Sequence, residues 1–189
     1  MIRIAIGSIL GGIAQWIVGF LFWGTPLGKI AFTVAGDAQN AAVQSVLAQN
    51  LTPTGSGTYF VPWPDTPQGT VLHGRGPVAL IHFNTAGFPT MENSAIFGGL
   101  ILSIVAILLL GIALYAISDR VHDFVTRMKI VALVAVATVI YFTFAQPVYN
   151  YYLPWGYFIY LGLSQLIGLI AGGFVLVRWF LPNRAETLH

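Results

Sequence analysis

A chain of 189 residues that is 57% hydrophobic and only 7% charged lies outside the composition of soluble proteins, in which roughly 25% of residues are charged. Its net charge of +2 is carried by dispersed lysines and arginines, which excludes a basic patch for nucleic acid. Cysteine is absent, which excludes a disulfide framework, thiol catalysis, haem attachment and zinc-thiolate sites.

Uncharged stretches run through residues 4–28, 93–118 and 130–177, each long enough for the roughly 20 apolar residues that cross a bilayer. As a single helix the third would reach roughly 72 Å against a hydrocarbon core of about 30 Å, so it must fold back. The break falls between Gln146-Pro147 and Leu153-Pro154. The expected fold class is therefore an integral membrane α-helical protein, a four-helix transmembrane bundle with a small α+β extracytoplasmic domain inserted between spans 1 and 2. Its parts are span 1 at residues 1–23, the outer domain at 24–95, span 2 at 96–117, a cytoplasmic loop at 118–128, span 3 at 129–147, an outer loop at 148–156, span 4 at 157–178 and a cytoplasmic tail at 179–189. Arg3, Arg120, Arg127, Lys129, Arg178 and Arg184 fall on one side and Lys29 and Arg75 on the other, which puts both termini in the cytoplasm. Asp119 and Asp123 interrupt the basic residues of the inner loop, so these do not form a polybasic lipid site.

Taken in order, residues 1–23 open like a signal peptide, with Arg3 ahead of an apolar run and Thr33-Val34-Ala35 as a cleavage-type pattern. The run exceeds the roughly 7–15 residues of a signal core, so it reads as a retained span. Gly7 with Gly11, and Ser8 with Gly12, form two small-xxx-small pairs that allow close backbone approach on one face. Gln15 is polar but neutral, and an interhelical hydrogen bond accounts for it. Phe20, Phe22 and Trp23 mark the outer interface.

In the outer segment, Asp37 is expected to cap an alanine-rich helix over residues 38–49, ended by Asn50 and Pro53. Its Ala42, Val43, Val46 and Leu47 make a narrow apolar stripe that can lie on a small sheet or on the membrane surface. Gly57-Thr58-Tyr59-Phe60-Val61-Pro62 is a short strand; Thr70-Val71-Leu72-His73, Gly74-Arg75-Gly76 and residues 77–83 read as strand, turn, strand. One helix over about three strands is small enough that membrane packing must help stabilise it.

Phe88-Pro89-Thr90-Met91-Glu92-Asn93-Ser94 leads into the second span, with Asn93 or Ser94 as cap and Glu92 near the helix start. The loop 118–128 reads as a short amphipathic helical link capped by Ser118 or Asp119. The third span ends in Tyr141, Phe142, Phe144 and Pro147, and Tyr149, Tyr151, Tyr152, Trp155, Tyr157 and Tyr160 crowd the outer interface. In the fourth span Ser164, Gly168 and Gly172 recur every four residues beside Gln165, a second small-residue seam. Spans 1 and 4 are expected to pack through Gly7 or Gly11 on one and Gly168 or Gly172 on the other.

Four features in this order resemble an uncharacterised group of small bacterial four-span inner-membrane proteins: Phe22-Trp23-Gly24, Gly57-Thr58-Tyr59-Phe60-Val61-Pro62, Phe88-Pro89-Thr90-Met91-Glu92-Asn93 and Pro154-Trp155-Gly156-Tyr157. The resemblance covers the whole chain and implies no activity. The span and loop order also looks like that of claudins, whose loop cysteines are missing here.

His73 and His82 on neighbouring strands would point to opposite faces, or stand about 13–20 Å apart along the strands, too far to share a zinc ion. Asp37, Asp65 and Glu92 each sit at a cap, a proline turn or a helix start, and Gly55-Ser56-Gly57 lacks the strand-to-helix setting of a nucleophile. The spans hold no ionisable residue away from their ends, which argues against proton or ion transport. The expectation is a non-enzymatic inner-membrane accessory or assembly subunit without metal or cofactor, its partners other membrane-protein subunits and lipid, with Trp23, Tyr149, Tyr151, Tyr152, Trp155 and Tyr157 as contact residues. The alternatives are a protein that binds or modifies a lipid- or quinone-type amphiphile and, after it, a neutral-solute transporter.

Overall fold

The computed structural model describes residues 2–181 and divides into two compact units. One is built from the chain up to Phe32 and from Glu92 onward, the other from Thr33–Met91. Arg184 and most of the expected tail at 179–189 lie outside the described residues.

The first unit contains four helices long and apolar enough to cross a membrane, the pattern of a multi-pass membrane protein. They are α1 (Ile2–Trp23), α4 (Asn93–Ala116), a third that runs as α5 (Phe124–Thr138), a π-helical segment (Val139–Phe144) and α6 (Ala145–Tyr149), and α7 (Trp155–Trp179). α4 and α5 start where a side chain satisfies free N–H groups, whereas α7 follows Pro154 with no side-chain cap. Glu92 itself caps α4, its carboxylate accepting from Ser94 N (3.3 Å) and Ser94 Oγ (2.9 Å), so the cap lies one residue before the expected Asn93 or Ser94. Asp123 caps α5 by accepting from Thr126 N (2.7 Å), and the hydrogen bonds from Thr126 hold its carboxyl below the usual carboxylate range. The expected helical link at 118–128 is therefore replaced by a turn, with α5 beginning at Phe124. Pro147 lacks an N–H and its ring disfavours a regular α-turn behind it; the chain widens into π-helix over Val139–Phe144, just upstream.

α1 and α7 form the central pair, with α4 against α1 and α5 against α7. Where α1, α4, α5 and α7 converge, Ile4, Ile107, Leu114, Val131, Leu176, Val177 and Leu181 form the core. Arg127, in the first turn of α5, is buried at 1% exposure, its Nε donating to Val121 O (3.0 Å).

In the second unit α2 (Asp37–Leu51) is preceded by Gly36 as N-cap residue, and Asp37 is not the cap but the first helical residue. Its carboxylate still favours the positive helix N-terminus. Strands β1 (Gly57–Val61) and β2 (Ala79–Phe83) pair antiparallel, with Thr58 opposite His82 and Tyr59 opposite Ile81. The strand expected at residues 70–73 is instead part of helix α3 (Pro67–Arg75), so the sheet has two strands and not three. Local chemistry explains the correction: Thr66 Oγ1 accepts from Gly69 N (2.9 Å), Pro67 occupies the first turn, and Gly76 at φ 67° ends the helix. Thr66-Pro67 is a helix-start signal that outweighs the β-favouring Thr70 and Val71.

Candidate functional site

The 3-10 turn over Pro26–Ala31 folds the chain back at the end of α1. Thr25 organises it, its Oγ1 donating to Leu21 O (2.6 Å) and accepting from Leu27 N (3.3 Å). Gly28 lies so close to the helix end that a Cβ there would stand 3.2 Å from the carbonyl oxygens of Phe22 and Trp23. The turn delivers Phe32 to the Trp23 ring at 6.2 Å between centroids. Tyr157 and Tyr160 from α7 meet Trp23 at 6.1 and 5.1 Å, and Tyr157 also lies 5.7 Å from Phe32. Polar ends are satisfied inside the cluster: Trp23 Nε1 donates to Ser164 Oγ (3.1 Å), Ser164 Oγ to Leu161 O (2.8 Å), and Tyr160 OH to Phe22 O (2.6 Å). Aromatic rings in edge-to-face and tilted contact, with the polar tips of Trp23 and Tyr160 hydrogen-bonded, make a clamp between α1 and α7.

The expected contact residues thus separate into two groups. Trp23 and Tyr157 belong to the clamp, joined by Tyr160 and Phe32. Tyr149 and Tyr151 are exposed, Tyr152 OH donates to Asn150 Oδ1 (3.3 Å), and Trp155, half exposed, lies 6.3 Å from Phe144. Phe32 carried no sequence signal, because only the 3-10 turn brings it back.

The small residues are also divided by geometry. A Cβ on Gly11 would stand 2.6 Å from Gly172 O, and one on Gly172 would stand 2.8 Å from Gly11 O, so these two backbones touch. Gly7 faces Phe180 and Leu176, and Gly12 faces the backbone of Ile104 on α4. Gly168 has ordinary room, its nearest neighbour Gln15 Cγ at 3.4 Å. Gly173, against Val131, and Gly162, against Phe144 and Val139, are tight positions facing the third helix that the every-fourth-residue pattern passes over.

Polar groups occur in the middle of the spans as well. Thr143, in the π-helical segment, donates to Gln165 Oε1, and Gln15 Oε1 is buried with no hydrogen-bond partner among the described residues. In the second unit His73 belongs to α3, with its ring 5.5 Å from Phe60, and His82 Nδ1 is hydrogen-bonded to Thr58 Oγ1 across the strands at 3.0 Å. Among the described residues no group of three or more His, Asp or Glu stands together as a metal site. No family model, curated protein or solved structure matches this chain.

Proposed function

We propose that this chain is a non-enzymatic accessory or assembly subunit of a larger membrane complex, and that its second unit is the part presented to another membrane-protein subunit. The reading rests on one observation: in Thr33–Met91 the only buried residue is Gly69, so this unit has no buried apolar side chain of its own. Units of this size are stable only when a core, a covalent link or a partner supplies the missing burial. The clearest case is α2, which buries nothing; Val43 and Val46 are each 57% exposed. Val43 and Val46 of the expected stripe thus do not lie on the sheet, while Leu47 is half-buried. Isolated helices of about 12–15 residues are marginal in water, so a partner surface over α2 would stabilise it. The helix carries no lysine or arginine for a membrane surface, which favours a protein partner.

A Val46→Asp variant is expected to lose the proteins that co-purify with the wild type after gentle solubilisation, as read by mass spectrometry. Equal co-purification would remove α2 from the interface.

In this reading the four helices form a bundle in the bacterial inner membrane, with both termini cytoplasmic and residues 24–95 periplasmic. Its support is the six-to-two distribution of lysine and arginine. Cysteines placed at Gln68 and at Thr187, which lies outside the described residues, are expected to react with an impermeant thiol reagent from opposite sides of the membrane. Reaction of both from one side would overturn the orientation.

A further inference from the structure

α1 and α7 each carry one glutamine near mid-helix, and each stands eleven residues from a core side chain. Eleven residues are three turns of an α-helix to within about 20°, so Gln15 lies on the stripe of Ile4, and Gln165 on the stripe of Leu176. Ile4 and Leu176 are 2% and 0% exposed and lie together against Gly111 of α4. That stripe is the inward one, because it is the core where the helices converge. Three turns away the same stripe opens: Gln165 is exposed, although one turn to either side Gly162 and Gly168 are buried and Leu161 and Leu169 half-buried. On α1, one turn beyond Gln15, nothing lies within 4 Å of where a Cβ of Gly19 would stand. The two glutamines flank one turn of α7, since the Gln15 side chain lies over Gly168.

We propose that this opening among α1, α7 and the π-helical segment is a binding site for an uncharged amphiphile whose head group both donates and accepts a hydrogen bond. The side chains divide the two roles. Thr143 donates to Gln165 Oε1 and so turns the amide N–H groups of Gln165 the other way; that is the only hydrogen bond of the Gln165 side chain among the described residues. Gln15 Oε1 supplies a buried acceptor with no donor among the described residues. A buried acceptor left unpaired is destabilising, and a hydroxyl from a ligand removes that cost. The uncharged stretches 4–28, 93–118 and 130–177 leave no counter-charge at this depth, so a phosphate or ammonium head is excluded. A quinol or a long-chain alcohol has the required chemistry and dissolves in the hydrocarbon core.

This inference is independent of the subunit reading, because it concerns only the long helices. The full chain in phosphatidylcholine nanodiscs, kept anaerobic, would be offered decylubiquinol or 1-hexadecanol and examined by native mass spectrometry. One of the two is expected to be retained at one per chain, and which one identifies the source of the head group. Gln165→Leu is expected to lower the retained fraction of the folded protein at least tenfold, and to lower its unfolding midpoint without ligand because buried Thr143 loses its acceptor. Should that variant fail to fold, Gln15→Leu is expected to show the same loss. Retention of neither probe, equal retention by wild type and the folded variant, or displacement by phosphatidylglycerol would each overturn the proposal.

Discussion

Gly172→Ala is expected to destabilise the protein by about 1–3 kcal/mol, the usual cost of forcing a methyl group into a closed contact. The added carbon would stand 2.6 Å from Ile107 Cδ1 and 2.8 Å from Gly11 O. The isoleucine end can rotate away, but the backbone oxygen cannot, so α1 and α7 must separate. Two effects oppose each other here, because alanine in a helix is favoured over glycine by about 1 kcal/mol. The sign of the change therefore decides whether the close approach is real. Gly168→Ala is the control, since the nearest neighbours of its new methyl group, on Gln15 and Val18, stand at ordinary contact distance. It should leave stability unchanged or raise it. Thermal unfolding of the two variants in the same detergent measures both, and equal midpoints would remove Gly11 and Gly172 as the tight crossing point.

Trp23→Ala is expected to cost about 3 kcal/mol, at the lower end for loss of a packed aromatic. It removes ring contacts to Phe32, Tyr157 and Tyr160 together with the hydrogen bond to Ser164, and so unties α1 from α7 at that end. Trp155→Ala is expected to cost far less, because Trp155 is 48% exposed and Phe144 is its only ring neighbour among the described residues. Unfolding midpoints of both variants check the order. A larger loss for Trp155 would move the structural weight to the loop between the third helix and α7, where the sequence is densest in tyrosine.

The long helices were legible because the bilayer imposes a length and an absence of charge, and both are visible residue by residue. The close approach of Gly11 to Gly172 was legible as far as small residues at intervals of four reveal a face; which glycine meets which depends on crossing geometry that spacing does not encode. The second unit was less legible. Thr70, Val71 and Leu72 favour strand by type, yet Thr66 and Pro67 start a helix ahead of them, and local capping won over side-chain preference. The third uncharged stretch starts only at Ile130 and so puts Arg127 in the loop; Asp123, directly ahead of Phe124, is the capping signal that places it inside the helix. Phe32 was illegible for a different reason, since its partner Tyr157 is more than a hundred residues away in the chain.

The central helix pair has a consequence for the order of events during synthesis. Of the four long helices α1 is made first and α7 last, and their backbones meet at Gly11 and Gly172. At roughly 5–20 residues per second, the ribosome needs roughly 8–30 s after completing α1 to deliver α7. Throughout that interval the grooved face of α1 has only lipid or α4 to meet, so a chain stalled before Trp155 would be left with an open seam and a natural point for quality-control proteases to act.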